Sequence, residues 1–234
     1  MRRWIANLFR RVEGRALLVL GAAAGAAWAF LAIGSEMREG ETLAFDRKIL
    51  LAFHAAGNGR EPLGSQGFQE AMRDVTALGS FTVLTLVTVV GALAFALHGK
   101  RRHALVFVVA VLAAQFGSER LKLLYGRPRP DLVPHAVYVH SGSFPSGHSM
   151  LSAAVYLTLA VLIATLEPRR ATQALIFGTA AALMIAVGLS RIYLGVHWPS
   201  DVLAGWSAGS GVALIAWAVL MRVAKRRDGI AKPE

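Results

Sequence analysis

The chain has 234 residues, 55% of them hydrophobic, and a mean hydropathy of +0.51, which excludes an ordinary soluble domain and points to a membrane protein forming one unit over 1–234. Its net charge of +11 does not mark a nucleic-acid binder, because the basic residues sit at the ends of apolar runs, where the positive-inside rule places them. The absence of cysteine removes a disulfide framework, a thiolate metal site and a cysteine nucleophile.

Taken in order, residues 1–15 carry Arg2, Arg3, Arg10, Arg11 and Arg15 against the single acid Glu13, and an apolar run follows from Ala16 to about Ile33. This predicts a basic cytoplasmic tail and a signal anchor. The small residues of 22–29 raise a cleaved signal peptide as the competing reading. The apolar stretch continues through Phe30, Leu31 and Ile33, so a retained helix is expected. Residues 36–77 form the longest polar segment. Phe45, Ile49 and Phe53 recur every four, and Phe68, Met72 and Val75 repeat at four and three. Gly57, Gly59, Pro62, Gly64 and Gly67 break the two patterns apart. Short amphipathic helices lying at the membrane interface are expected, serving either as a packed extracytoplasmic cap or as a wall for acyl chains.

Five more apolar runs follow, near 78–97, 104–124, 150–166, 171–189 and 202–221, each about long enough for a bilayer core of ~30 Å. The predicted fold is therefore an all-α membrane protein with six transmembrane helices. Lys100, Arg101 and Arg102 separate the second and third spans, Arg169 and Arg170 the fourth and fifth. Arg222, Lys225, Arg226, Arg227 and Lys232 lie in a second basic tail over 222–234. With the first tail these make 15 of the 25 basic residues. The charge bias puts both termini and those two short loops in the cytoplasm, and the loops 36–77, 125–149 and 191–201 outside.

The outward loops hold the unusual residues. Phe144-Pro145-Ser146-Gly147-His148-Ser149 precedes a long apolar run, so Ser146 is a candidate N-cap. The helix behind it would aim the amides of Gly147 and His148, with their positive dipole end, at one spot that suits a phosphate. Lys122, Arg127 and Arg129 lie at a helix end, where snorkelling to headgroups is the ordinary explanation. That explanation fits Arg191 poorly, because the outer face is depleted of basic residues. His197 and Asp201 are four apart around Pro199. A helix starting there would set the carboxylate on its first turn, where it accepts the ring N–H of His197 and stabilises a positive ring. The bland alternative is a first-turn acid complementing the helix dipole.

K-x6-R-P over Lys122 to Arg129-Pro130, P-S-G-H over Pro145 to His148, and S-R-x5-H-x3-D over Ser190-Arg191 through His197 to Asp201 stand in that order on one side of the membrane. Together they resemble the type 2 phosphatidic acid phosphatase family, whose lipid phosphatases share the signature with soluble vanadium haloperoxidases. Arg120 stands in the same relation to Arg127-Pro128. The family motif begins with lysine, which selects Lys122 and Arg129 and leaves Arg127 as a secondary, headgroup-facing candidate.

The resemblance implies a lipid phosphatase acting at the extracytoplasmic face on an isoprenoid diphosphate or a glycerolipid phosphate. Lys122, Arg129 and Arg191 would neutralise the phosphate oxygens, with Ser146, Gly147 and the amide of His148 completing the cradle. His197 would attack phosphorus, Asp201 would hold it, and His148 would protonate the leaving oxygen and then activate water. No metal or other cofactor is implied, the partners are the bilayer and its lipid phosphates, and no pattern bears on oligomeric state. A phosphotransferase using the same phosphohistidine and a non-catalytic lipid-binding or transport protein are the rival readings. His54, His98, His103, His135 and His140 match no motif position and are expected at solvent or interface.

Overall fold

The computed structural model describes residues 2–55, 61–134 and 141–230, with side chains over 17–55, 61–134 and 141–222. Among the described residues eight helices follow one another: α1 (Arg2–Glu39), α2 (Leu43–Ala52), α3 (Gln66–Ala77), α4 (Phe81–Leu97), α5 (Arg101–Tyr125), α6 (Gly147–Ala164), α7 (Arg170–Tyr193) and α8 (Pro199–Ile230). Among the described residues the only β pairing is an isolated bridge between His54 and Pro62. The expected all-α membrane architecture is borne out. Segments Leu17–Glu39, Arg101–Tyr125, Gly147–Ala164, Arg170–Tyr193 and Pro199–Arg222 are long and apolar enough to cross a bilayer, and α3 with α4 makes a sixth if the bent pair counts as one.

The run expected near 78–97 is met by α4, which α3 precedes across a bend. The 17 residues of α4 reach only about 25 Å, and α3 adds to them after a 47° bend. The bend has a local cause. Ser80 caps α4 by accepting the amide of Val83 at 3.3 Å, so the chain restarts its helix there. The Tyr156 hydroxyl of α6 donates to the carbonyl of Leu78 at 2.7 Å and pins the break to the bundle.

Helix α6 is the centre of the bundle and packs against α4, α5, α7 and α8. Its apolar window is 56% buried, against 11–33% for the other four spans. The tightest approach is to α8, at Gly205 and Gly209. A methyl group on Gly205 would stand 2.8 Å from the Ser146 carbonyl oxygen. On Gly209 it would collide with the Met150 carbonyl oxygen. This G-x-x-x-G spacing puts two hydrogen-only positions on one face of α8, so the two backbones touch. Sequence reading passed over it, although the spacing was visible. Its consequence is positional: the first turns of α6 and α8 meet, and the Ser146 amide donates to the Asp201 carbonyl at 3.0 Å.

The short helices expected over 36–77 are present as α2 and α3, and α2 also buries a charged residue. Of the repeating residues, Ile49 and Phe53 pack against the cluster around Leu50, whereas Phe45 is 46% exposed, and beside them Asp46 is fully buried. Asp46 finds buried polar partners, described below. Gly57 and Gly59 of the break between the cap helices lie outside the described residues.

The α6–α8 contact yields a stability prediction. Gly209→Ala forces the two helices apart or strains them, at a cost of about 1–3 kcal/mol. A thermal melt in detergent should show a lowered Tm for Gly209→Ala and an unchanged Tm for Gly178→Ala, where the added methyl meets nothing within 4 Å. Equal melting of the two variants would refute the close-approach argument.

Candidate active site

The three motifs converge at the ends of α5, α6, α7 and α8. Lys122 lies in the last turn of α5, which Gly126 closes in the left-handed conformation (φ 57°), its amide donating to the Lys122 carbonyl at 3.0 Å. Glycine adopts that conformation without a Cβ penalty, and the chain then folds back so that residues 127–130 cross the mouth of the bundle. Lys122 Nζ donates to Ser141 Oγ at 3.2 Å. A methyl on Gly147 would lie 3.6 Å from the same Nζ, so the ammonium group faces the start of α6.

At that start Ser146 is the N-cap, as the sequence suggests, with its Oγ accepting from the Ser149 amide at 3.5 Å and from Ser149 Oγ at 3.0 Å. The helical turn gives the amides of Gly147 and His148 no backbone partner. His148 packs beside Gly79 at the α3–α4 break, where a methyl on Gly79 would come within 3.3 Å of its ring. Arg191 closes the far side from the last turn of α7. It is 4% exposed, donates through Nη1 to Thr76 Oγ1 of α3 at 2.9 Å, and keeps its buried Nε without a partner.

His197 sits between α7 and α8, 1% exposed. Its Nε2 is 3.1 Å from Arg129 Nη1. A guanidinium only donates, so Nε2 is the lone-pair nitrogen and Nδ1 carries the proton. That proton points toward Ser143 Oγ at 3.5 Å and Asp201 Oδ2 at 3.4 Å. The His197–Asp201 pairing is therefore present but long, and the hydroxyl of Ser143 stands beside it with a short hydrogen bond to Asp201 Oδ2. Arg129 is further tied to the Ser141 carbonyl through Nε at 2.9 Å and to the Val196 carbonyl through Nη1 at 2.7 Å. Burial lowers the Arg129 guanidinium and Asp201 opposes that shift, and a guanidinium remains charged throughout. Burial first, then Arg191, Arg129 and Lys122, hold the His197 ring well below its ordinary value. It is the neutral imidazole that a nucleophile requires.

The headgroup-facing place expected for Arg127 is overturned. Arg127 is 8% exposed and lies behind the site, between two fully buried carboxylates. Nη1 donates to Asp201 Oδ1 at 2.6 Å and to Ser200 Oγ at 2.8 Å, and Nη2 donates to Asp46 Oδ2 at 2.7 Å. Two buried acids outbid the headgroups for the guanidinium. Arg120, the alternative partner in that motif, is exposed. His54 also departs from expectation: it is 5% exposed, and its Nδ1–H donates to the Leu50 carbonyl at 2.8 Å. His98 is exposed and His103 pairs with Thr165, while His135 and His140 lie outside the described residues. Among the described residues no three His, Asp or Glu side chains are grouped to hold a metal ion.

Sequence reasoning missed Asp46, Thr76, Ser141 and Ser143. Ser143 had a signal, a hydroxyl two residues before Pro145. Asp46 and Thr76 had none, because their contacts cross from the cap to helices far along the chain.

The family model of the PAP2 superfamily matches residues 103–225. The chain belongs to the PAP2 superfamily. It is 35% identical over 142 residues to phosphatidylglycerophosphatase B of Bacillus subtilis, covering 60% of this chain and 69% of that protein. It is 29% identical over 121 residues to an undecaprenyl-diphosphatase of Sulfolobus acidocaldarius, covering 50% of this chain and 54% of the relative. The crystal structure of a transmembrane PAP2-type phosphatidylglycerolphosphate phosphatase from Bacillus subtilis superposes with a TM-score of 0.76 at 27% identity, over 86% of this chain and 96% of that one. These PAP2 relatives are named phosphatases, which bears out the expectation of a phosphoric ester or diphosphate hydrolase.

The lowered His197 gives a pH prediction. A free imidazole is lost only as pH falls through its own value, so the acid limb of kcat/KM, after correction for substrate ionisation, should lie below the ordinary imidazole value of 6.5. An acid limb at or above 6.5 would contradict the assignment.

Proposed function

We propose that the protein is a lipid phosphatase that hydrolyses an isoprenoid diphosphate or a glycerolipid phosphate at the extracytoplasmic face, through a phosphohistidine at His197. The observation that carries the reading is the convergence of Lys122, Arg129 and Arg191 with the open amides of α6 around the lone-pair nitrogen of His197. Three cations in a largely desolvated site favour the charge on a transferring phosphoryl group far more than they would in water. Arg129 already occupies Nε2, and an incoming phosphate would draw the guanidinium onto its oxygens and release the lone pair.

In the first step His197 Nε2 forms a bond to phosphorus while the bond to the leaving oxygen breaks, and His148 delivers a proton to that oxygen. The ring becomes positive, and Asp201 with Ser143 stabilises its Nδ1 proton. In the second step His148 takes a proton from water, the resulting hydroxide attacks phosphorus, and the P–N bond breaks to return His197 and release phosphate. Charge neutralisation rests on side chains of this chain, with no metal ion in either step. The phosphatidylglycerophosphatase and undecaprenyl-diphosphatase relatives support both substrate classes. In this reading the six-span unit over 1–234 sits in a bacterial inner membrane with the site at its surface, and acyl chains enter laterally from the bilayer.

Detergent-purified protein should release phosphate from undecaprenyl diphosphate, phosphatidate or phosphatidylglycerol phosphate. His197→Ala should abolish release, vanadate should inhibit it, and a chelator should leave it intact. Activity lost in chelator and restored by magnesium would overturn the metal-free mechanism. Sidedness follows from the charge bias. In the cysteine-free background, a cysteine at exposed Glu70 should react with an impermeant maleimide in intact spheroplasts, and one at exposed Arg169 should not. The reverse pattern would invert the proposed topology.

A further inference from the structure

Asp46 belongs to none of the three motifs, yet it is fully buried and both of its oxygens are used. Oδ1 accepts the Ser200 amide at 2.8 Å, and Oδ2 accepts Ser200 Oγ at 2.6 Å and Arg127 Nη2 at 2.7 Å. The same guanidinium holds Asp201 Oδ1 at 2.6 Å, so the other oxygen of Asp201 is left for Ser143, the Trp198 amide at 2.9 Å, and His197. A continuous polar path thus runs from the cap helix α2 through Arg127 and Asp201 to the Nδ1 side of His197.

Stability alone does not account for this arrangement. A buried ion pair is often no better for stability than apolar residues of the same volume, and an apolar side chain at position 46 would stand one turn from the buried Leu50. Charge accounting suggests a different role. One guanidinium shared between two carboxylates leaves a net negative charge behind His197. With Asp46 gone, Arg127 and Asp201 would cancel, and the imidazolium formed on attack would face an almost neutral pair.

We propose that Asp46 is a positioning residue for the reaction: through Arg127 and Ser200 it fixes which oxygen of Asp201 faces His197 and preserves the negative charge behind that ring. The proposal rests on the reading of His197 as nucleophile. Asp46 touches neither substrate nor the reacting atoms, so its loss alters the chemical step and leaves ground-state binding in place.

The test measures kcat and KM for phosphate release from phosphatidate and undecaprenyl diphosphate in detergent micelles, with the Tm of each variant. Asp46→Asn should lower kcat by roughly 10- to 100-fold, the range for losing one charge-assisted hydrogen bond, with KM within about twofold of the parent. Ser200→Ala, a milder cut of the same path, should lower kcat by a smaller factor, again without moving KM. It is the reporting variant if Asp46→Asn does not fold. Glu70→Gln, which removes an exposed acid from the cap, should match the parent. Combining Ser200→Ala with Ser143→Ala should cost less than the product of the two separate losses, because both act through Asp201. A folded Asp46→Asn or Ser200→Ala with parental kcat, or one whose loss appears in KM alone, would overturn the proposal. An active His197→Ala would instead overturn the underlying reading, so the two failures are distinguishable.

Discussion

Asp201 is the fully buried carboxylate on which the loops of the site depend. Its carbonyl receives the Ser146 amide, one side-chain oxygen receives Arg127, and the other receives Ser143 and the Trp198 amide and faces His197. Each of the three sequence motifs, or its immediate flank, is therefore bonded to one residue. A buried carboxylate carries a desolvation cost that only several good hydrogen bonds offset, and those bonds leave the surrounding segments little choice of position. The glycine pair of α8 makes the arrangement possible by letting α6 and α8 touch one helical turn further along.

The cations obey a complementary constraint. Lys122, Arg129 and Arg191 converge with no acid of their own in direct ionic contact among the described residues. Arg129 and Arg191 instead borrow neutral acceptors, the Ser141 and Val196 carbonyls and the Thr76 hydroxyl. Arg191 retains a buried Nε with no partner at all. Arg127 is different in kind, since it is saturated by two carboxylates. The site thus separates cations that are under-compensated, and suited to an anionic ligand, from one that is fully compensated and structural to the pocket.

This division explains what the sequence could and could not show. Apolar run lengths made five spans legible, and a sixth if α3 with α4 counts as one, because bilayer thickness acts on local composition. The motif residues at 122, 129, 146–148, 191, 197 and 201 were legible through their order and spacing, and the structure brings them to one end of the bundle. Arg127 was misplaced because a lone arginine at a helix end looks the same whether it meets headgroups or a buried acid. Asp46 was hidden because its partners Arg127 and Ser200 lie far along the chain, while the local signal of α2 was the apolar repeat of Phe45, Ile49 and Phe53. The α3–α4 bend escaped for a similar reason, since Ser80 and Tyr156 are unremarkable until the break they hold is seen.

The central claim is that His197 carries the phosphoryl group between two half-reactions. His148→Ala should still permit attack on a phosphate ester with a phenolate leaving group, which needs little protonation, and should slow the water step. The most direct measurement is to mix this variant with such an ester, quench at alkaline pH where a phosphoramidate survives, and map the modified peptide by mass spectrometry. A phosphoryl group on the peptide containing His197, absent from the His197→Ala and His148→Ala double variant, is the result expected. Turnover by the parent protein with no phosphoryl group on His197 in the trapped variant, or one found on a different residue, would contradict it.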